Sequence, residues 1–287
     1  MVGVDILLPL LYSRAEKVRN LSDISKYSNF HFLELDLRRN INPEILEGVD
    51  TVFNLAAMPG LTPSWTSMKD YFDCNSLIVG NICAASKEVG GVPIIQASTS
   101  SVYGLSATGN ESDVLKPISP YGVSKLAAEQ LLSAFANAFG IPFTILRYFS
   151  VYGPRQRPDM AYRKIIDKIL NQSPIEIHGD GKQTRSNTYV SDIVDATIKS
   201  SEKELAGETF NIGGAECIQL LEAVNIIQEF LGLNVEIKFM PPKLGDQQQT
   251  LAKYNKAERD LAYRPITRFL DGITHQIQWQ RSHPILT

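Results

Sequence analysis

Three side chains with catalytic potential lie in two short segments near the middle of the chain. Thr99 lies in Ala-Ser-Thr-Ser-Ser-Val-Tyr-Gly at 97–104, and Tyr121 and Lys125 lie in Tyr-Gly-Val-Ser-Lys at 121–125. A tyrosine with an ordinary pKa of about 10 is a poor base at neutral pH, but an ammonium one helical turn away stabilises its phenolate. Together these residues can remove a proton from an alcohol hydroxyl that Thr99 holds in line with Tyr121.

The order and spacing of the two segments make this interpretation specific. A tyrosine four residues before a lysine is by itself more often a surface pair on a helix than a catalytic pair. Here the Thr99 segment follows a predicted strand, and Tyr121 opens a predicted helix 22 residues later. The joint pattern therefore favours the catalytic interpretation over the structural one.

The elements that must position these residues alternate between strand and helix. Apolar runs rich in β-branched residues predict strands at Val2–Val4, Phe30–Leu35, Thr51–Leu55, Pro93–Ala97 and Phe143–Arg147. Helices are predicted between and after them at Pro43–Leu46, Lys69–Glu88, Ser119–Phe139, Tyr162–Leu170 and Leu220–Leu231. This alternation predicts an α/β fold with a doubly wound parallel sheet.

The pattern loosens after Gly153 into stretches rich in proline and glycine, which predicts a smaller α/β lobe for the substrate. We expect the sheet domain at 1–153 with returning segments near 186–213. The lobe is expected at 154–185 and 214–287.

Composition narrows the range of partners. The chain is 44% hydrophobic and 21% charged, carries a net charge of −3 and has no block of lysine or arginine. These values predict a globular protein with a small-molecule partner and argue against nucleic acid or a membrane surface. Three widely spaced cysteines suggest neither disulfides nor a metal site, so a cytoplasmic location is expected.

A glycine-rich turn after the first strand is absent. Dinucleotide-binding folds use such a turn to bring backbone N–H groups and a helix N-terminus to the pyrophosphate, with an acidic residue for the ribose about 20 residues later. Asp5 has the character of that acidic residue but only four residues before it. We therefore expect the chain to start at the second strand of the fold, to leave an unpaired position in the sheet and to bind a dinucleotide weakly.

The combined motifs resemble the extended short-chain dehydrogenases/reductases that act on nucleotide sugars, in particular UDP-glucose and UDP-glucuronate 4-epimerases. The resemblance covers essentially the whole chain from Val2 and implies NAD as cofactor, Thr99, Tyr121 and Lys125 as catalytic residues, and a homodimer. The residues implied to bind NAD are Asp5, Asp36, Leu37, Leu55, Ala56, Ala57, Asn75, Tyr121, Lys125 and Tyr148.

The same resemblance implies a UDP-sugar as substrate. Arginine suits its diphosphate because a guanidinium matches phosphate oxygens in a bidentate manner. The residues implied to bind the substrate are Thr99, Ser150, Arg155, Arg185, Lys243 and Asp246. Lys243 stands where the family usually has arginine, and Lys253 where an acidic residue is common, so an inactive relative that binds sugar nucleotide without turnover stays an alternative.

The residues after Thr99 bear on the reaction. Dehydratases and decarboxylases of this family carry a carboxylic acid there, whereas this chain has Ser100 and Ser101. Without that acid, oxidation, rotation of the sugar and reduction at C4 is the preferred reaction. Dehydration and decarboxylation remain alternatives, and UDP-hexose and UDP-hexuronate both remain open as substrates.

Overall fold

A computed structural model describes residues 1–202, 205–242, 245 and 247–286. Its helices are α1 Arg14–Ile24, α2 Met68–Phe72, α3 Ile78–Glu88, α4 Pro120–Phe139, α5 Ala161–Leu170, α6 Val190–Ser201, α7 Leu220–Leu231, α8 Asn255–Leu261 and α9 Phe269–Ser282. Short 3₁₀ helices cover Pro43–Leu46, Thr62–Trp65 and Ser100–Tyr103, and a π-helical turn at Asp73–Leu77 joins α2 to α3.

The strands are β1 Val2–Asp5, β2 His31–Glu34, β3 Val52–Asn54, β4 Ile94–Thr99, β5 Ser106–Ala107, β6 Phe143–Tyr148, β7 Val151–Tyr152, β8 Ile175–His178, β9 Thr184–Ser186, β10 Thr188–Tyr189, β11 Glu208–Ile212, β12 Cys217–Gln219, β13 Ile237–Met240 and β14 Gln249–Thr250. All five predicted strands are present, and the predicted α/β fold with a parallel sheet is confirmed. The long helix predicted over Lys69–Glu88 is broken by the π-helical turn.

The parallel sheet is in two pieces. Four strands pair in parallel in the order β11, β6, β4, β3, while β1 and β2 form a separate parallel pair. Among the described residues no ladder joins β1 to β3. The break lies between the strands that end at Asp5 and Asn54, where the sequence predicts an unpaired position.

β4 is the central strand for the site, because β3 flanks it on one side and β6 on the other. Five of its six residues are buried, as expected for a strand covered on both faces. α4 packs against it and has well-formed ends. Ser119 Oγ caps its first turn by accepting from Gly122 N at 3.1 Å, Pro120 occupies the start, and Gly140 ends it with a φ of 71°.

A second hydrophobic core lies between α5, α7 and α9, where Ile166, Ile227 and Ile273 are fully buried. This core belongs to the predicted substrate lobe. α8 packs elsewhere, since Leu261 lies in a cluster with Leu146 of β6 and Phe210 of β11. The domain boundaries expected from the sequence stay a prediction. Within the range expected for the substrate lobe, α8 packs against the large sheet. Among the described residues no helix is long and apolar enough to cross a membrane.

Candidate active site

The carboxyl end of β4 and the first turns of α4 bring the three predicted catalytic residues together. Thr99 lies beside Tyr121, and its hydroxyl lowers the pKa of the Tyr121 phenol. Lys125 Nζ donates to the carbonyl oxygen of Ala97 at 2.5 Å, two residues before Thr99. The predicted arrangement of hydroxyl, phenol and ammonium is thus present in the structure.

Gly122 allows this close approach. A Cβ at this position would lie 2.8 Å from the carbonyl oxygen of Ser101 and 2.9 Å from Cβ of Pro117. The backbone of Ser101 cannot move away without displacing the Thr99 segment. Only glycine therefore fits at position 122, where α4 passes Ser101 and Pro117. The glycine of the Tyr-Gly-Val-Ser-Lys motif therefore has a packing role beside the chemistry.

Groups around Tyr121 shift the pKa of its phenol in opposite directions. Removal from water raises the pKa of its phenol, whereas the hydroxyl of Thr99 and the charge of Arg157 lower that pKa. Tyr71 packs edge-on against the Tyr121 ring with centroids 6.1 Å apart. The phenol is held in one position, and it needs nearby positive charge to act as a base at neutral pH.

Lys125 supplies positive charge under the constraint of burial. Its side chain is buried, and this burial lowers the pKa of its ammonium to about 8, opposed by the carboxylate of Glu129. Lys125 is therefore charged at neutral pH and titrates within reach of ordinary assay conditions. This is the behaviour that the phenolate of Tyr121 requires.

Asn75 lies in the π-helical turn and is buried. Its side-chain oxygen accepts from Met58 N at 2.7 Å, and its amide nitrogen donates to Met58 O at 3.0 Å and to Ser124 Oγ at 2.9 Å. These contacts fasten the loop after β3 to α4, next to Lys125. Asn75 is not among the residues that line the cavity, so its predicted contact with the cofactor stays a prediction.

A cavity of about 460 Å³ runs between the carboxyl ends of β1 and β3 and the start of α4. Nine of the ten predicted cofactor residues line it, namely Asp5, Asp36, Leu37, Leu55, Ala56, Ala57, Tyr121, Lys125 and Tyr148. Carboxylates lie at one end and the phenol and ammonium at the other. Sequence reasoning thus selected one continuous surface from segments that are up to 143 residues apart.

The acidic end of this cavity is ordered by local hydrogen bonds. Asp5 Oδ1 accepts from the backbone N–H of Leu7 at 2.6 Å. The carboxylate of Asp36 accepts hydrogen bonds from Nε and Nη2 of Arg38, both at 2.8 Å. This bidentate pair holds the pKa of the carboxyl below its ordinary value. Asp36 is therefore a carboxylate, and the side-chain oxygens of both residues can accept hydrogen bonds from ribose hydroxyls or an amino group.

A second cavity, of about 1130 Å³, lies between β8, β13 and the segment before β14. Its wall includes Gly179 and Asp180, in the loop that leads to Arg185, which the resemblance implies binds the substrate. Arg185 is not on that wall, and its Nη1 donates to the carbonyl oxygen of Thr184 at 2.9 Å. Its contact with substrate stays a prediction.

The remaining predicted substrate residues do not line either cavity or lie outside the described residues. Arg155 is at the surface, where its guanidinium pairs with Asp23 of α1 at 3.0 Å. Ser150 has a positive φ of 21° in the turn between β6 and β7, and its carbonyl oxygen accepts from Thr188 N. Lys243 and Asp246 lie outside the described residues.

Sequence reasoning missed four cationic or phenolic groups on the wall of the first cavity. Arg157, Arg38, Tyr12 and Lys17 line it with the predicted residues. Lys17 Nζ lies 5.1 Å from the centre of the Tyr12 ring. Nothing in the sequence pattern pointed the side chain of Arg157 at Tyr121.

Comparison with known proteins decides the family. Residues 5–213 match the model of the NAD dependent epimerase/dehydratase family. The chain belongs to this family. An uncharacterised UDP-glucose epimerase of Bacillus subtilis, YtcB, is 39% identical over 98% of this chain and 90% of its own length. A UDP-glucuronate 4-epimerase of Thermodesulfobacterium geofontis is 31% identical over 99% of this chain and 89% of its own length.

A member of known structure is also similar throughout. The crystal structure of UDP-glucuronic acid 4-epimerase from Bacillus cereus, in complex with UDP-glucuronic acid and NAD, has a TM-score of 0.94 at 35% identity. The match covers 98% of this chain and 90% of that one. The predicted family and fold are thereby confirmed.

Proposed function

We propose that this protein catalyses NAD-dependent epimerisation of a UDP-sugar at C4 through a 4-keto intermediate. The observation that carries the proposal is that Tyr121 and Lys125 lie on the wall of the cavity, with Thr99 beside Tyr121. Family relatives described as UDP-glucose and UDP-glucuronate 4-epimerases support the choice of substrate class. Ser100 and Ser101 support epimerisation over elimination, since neither offers a carboxylic acid.

The cavity fits NAD by the chemistry of its wall. Asp5 and Asp36 suit the adenosine half, while Tyr148, Tyr121 and Lys125 suit the nicotinamide half. Arg38, Arg157 and Lys17 bring positive charge to the same wall. Bound there, the cofactor supplies a hydride acceptor and donor for C4.

The protein's own residues handle the proton and the orientation. Thr99 positions the C4 hydroxyl, and the phenolate of Tyr121 takes its proton as the carbon–hydrogen bond breaks. Arg157 stabilises that phenolate through its charge, and we assign the same task to Lys125, one helical turn from Tyr121. After the sugar presents its other face, Tyr121 returns the proton to the C4 oxygen.

We also propose that the protein is a cytoplasmic homodimer. Support for a dimer comes from Leu77 and Val123, which are exposed apolar side chains on the neighbouring π-helical turn and α4. Support for a reducing compartment comes from Cys74, Cys83 and Cys217, which are free. Light scattering of the purified protein measures the oligomeric state, and a monomer at micromolar concentration contradicts the dimer.

Product analysis tests the reaction. The purified 287-residue protein is incubated with NAD and either UDP-glucuronate or UDP-glucose, and the sugar nucleotides are separated and identified by NMR. We expect the C4 epimer of one of the two. A 4-keto-6-deoxy sugar or a UDP-pentose would show dehydration or decarboxylation instead, and tight UDP binding without any product would favour the inactive relative. Calorimetry with NAD accompanies the assay and measures the affinity of the protein for the cofactor.

Replacement of Arg157 by methionine is expected to shift the pH dependence of the reaction upward. The Arg157 charge lowers the pKa of Tyr121, so its loss leaves the phenol with a higher pKa and less phenolate at neutral pH. A rise of about one pH unit in the basic group, with a rate loss of about tenfold at neutral pH, is expected. The pH dependence of kcat measures it.

Arg155→Met is the matched control, because Arg155 is a nearby arginine paired with Asp23 at the surface. We expect its pH dependence to match the native one. If Arg155 binds substrate as predicted from the sequence, this variant raises KM without moving the profile. An unchanged profile in Arg157→Met would contradict the assigned role of Arg157.

A further inference from the structure

Three consecutive residues of β4 each contact a different turn of α4. The carbonyl oxygen of Ala97 accepts from Lys125, and the hydroxyl of Thr99 lies beside Tyr121. Between them, the hydroxyl of Ser98 donates to the carboxylate of Glu129. Glu129 follows Lys125 by four residues, so it lies on the same face of the helix one turn further on. The third member of this series has no direct part in the proton transfer at C4.

Glu129 is half of a buried ion pair. Arg147 Nε and Nη2 donate to its two carboxylate oxygens at 3.1 and 2.7 Å. The two side chains are 5% and 3% exposed, for arginine and glutamate respectively. Arg147 lies directly opposite Ser98 in the β4–β6 ladder, so the same register places all three polar groups at one level of the sheet.

Further hydrogen bonds hold the guanidinium of Arg147 through its remaining nitrogen, Nη1. Arg147 Nη1 donates to the hydroxyl of Tyr103 at 2.9 Å and to the carbonyl oxygen of Glu111 at 3.2 Å. Tyr103 in turn donates to Asn211 of β11 at 2.7 Å. The pair is thus held rigidly, which suits a structural role. A structural role alone, however, does not explain its location within one helical turn of Lys125.

We propose that Glu129 is a positioning residue for Lys125, keeping its buried ammonium charged and directed at Ala97, and that Arg147 limits how strongly the Glu129 carboxylate acts on it. The proposal rests on the proposed function, because it assigns Lys125 the task of stabilising the Tyr121 phenolate. The Glu129 carboxylate raises the pKa of Lys125 against the effect of burial. Without it the ammonium is expected to lose its proton near neutral pH.

The other titratable groups around Lys125 do not provide this charge. α4 contributes the phenol of Tyr121, β6 contributes Arg147 and the phenol of Tyr148, and the π-helical turn contributes the thiol of Cys74. Burial raises the pKa of Tyr148 to about 12 and raises the pKa of Cys74 as well, so both are neutral. Among the described residues, Glu129 is the charged side chain that acts on the pKa of Lys125.

Two single variants separate this role from a structural one, because they remove opposite charges from the same pair. Glu129→Gln leaves the Arg147 cation without its partner and is expected to lower the titration midpoint of Lys125. Arg147→Met leaves the Glu129 carboxylate unshared and is expected to raise that midpoint. Each shift is expected to be roughly one pH unit, the usual effect of a nearby charge on the pKa of a buried group. A purely structural pair would lower stability in both variants without shifts of opposite sign.

The measurement is NMR of the full chain with ¹³C-labelled lysine. The Cε signal of Lys125, assigned by its loss in Lys125→Met, is followed against pH. Glu88→Gln, which removes an exposed carboxylate from α3, is the control and should leave the midpoint unchanged. If a single variant fails to fold, the double variant Glu129→Gln/Arg147→Met removes both charges, and its midpoint should fall below the native one. An unchanged midpoint in Glu129→Gln or in the double variant overturns the proposal.

This readout does not depend on turnover. If the midpoint moves as expected while the native protein forms no epimer, the control of the Lys125 charge stands and the proposed function fails. If the native protein forms the epimer and the midpoint does not respond, the function stands and the role of Glu129 is wrong. In an active protein, the pH dependence of kcat should shift in the same direction as the Lys125 signal.

Discussion

Replacement of Tyr121 by phenylalanine is expected to lower the rate of C4 epimerisation by about 100-fold to 10,000-fold, the usual contribution of a general base. The phenol is the group beside Thr99, and no other phenol shares that position among the described residues. Phenylalanine fills the same space and keeps the edge-on contact with Tyr71, so the fold should be retained. The measurement is the rate of C4 epimer formation at saturating UDP-sugar.

Binding must be measured beside the rate. The second cavity, which we associate with the nucleotide diphosphate, does not include Tyr121, so the dissociation constant for UDP by calorimetry should stay nearly native. A loss of UDP affinity as large as the loss of rate would count against a catalytic role. Thr99→Val should reduce the rate in the same way but less severely, because Thr99 orients the hydroxyl and does not take its proton.

Tyr263→Phe serves as the matched control. It removes the same atom from another buried tyrosine, whose hydroxyl donates to the carbonyl oxygen of Gly213 at 3.0 Å. That change should cost about 1 kcal/mol of stability and leave the rate within a few-fold of native. Equal rate losses in the two variants would show that removal of a buried hydroxyl, and not removal of a base, causes the effect.

Phe210→Ala is expected to destabilise the protein by about 3 to 5 kcal/mol, the cost of truncating a fully buried aromatic ring. Phe210 lies on β11 opposite Leu146 of β6 and packs with Leu261 of α8. The loss combines lost burial of the ring with a cavity that a rigid parallel ladder cannot close. Urea unfolding followed by circular dichroism measures it.

Phe239→Ala is the comparison, because that ring is 58% exposed on β13. Its unfolding free energy should change by about 0.5 kcal/mol or less. Similar losses in both variants would show that the core assigned to β6, β11 and α8 does not carry the stability expected of it. A smaller difference would indicate that α8 moves to fill the space left by Phe210.

The grouping of Thr99, Tyr121 and Lys125 was predictable from the sequence because short-range spacing, capping residues and topology all indicate it. Tyr121 and Lys125 are one helical turn apart, and the helix that carries them has a capping serine, a proline and a terminal glycine in the expected places. The Thr99 segment follows an apolar run that is long enough to be a buried strand. Parallel topology then brings the end of that strand to the start of α4 without further information.

The remaining site was harder because it depends on loop paths and side-chain directions. Arg155 has a positive φ of 64° and turns towards Asp23, while its neighbour Arg157 approaches Tyr121. The hydrophobic periodicity of the sequence does not show which of two arginines in the same turn points into the site. α1 was also missed, since its sequence is largely charged and its packing against residues 284–286 comes from the far end of the chain.

We expect the break between β1 and β3 to let the acidic wall of the cavity open locally, without unfolding of the rest of the protein. Without ladder hydrogen bonds across the break, β1, β2 and α1 are held through side-chain contacts such as the Asp23–Arg155 pair and the hydrogen bonds of α1 to residues 284–286. Units fastened in this way exchange their amide protons by openings that cost less than global unfolding. A ligand that spans Asp36 and Lys125 contacts both sides of the break, so its binding free energy includes the cost of closing it. The affinity for the cofactor and the protection of amides in β1, β2 and α1 from hydrogen exchange are therefore both expected to report on this local opening.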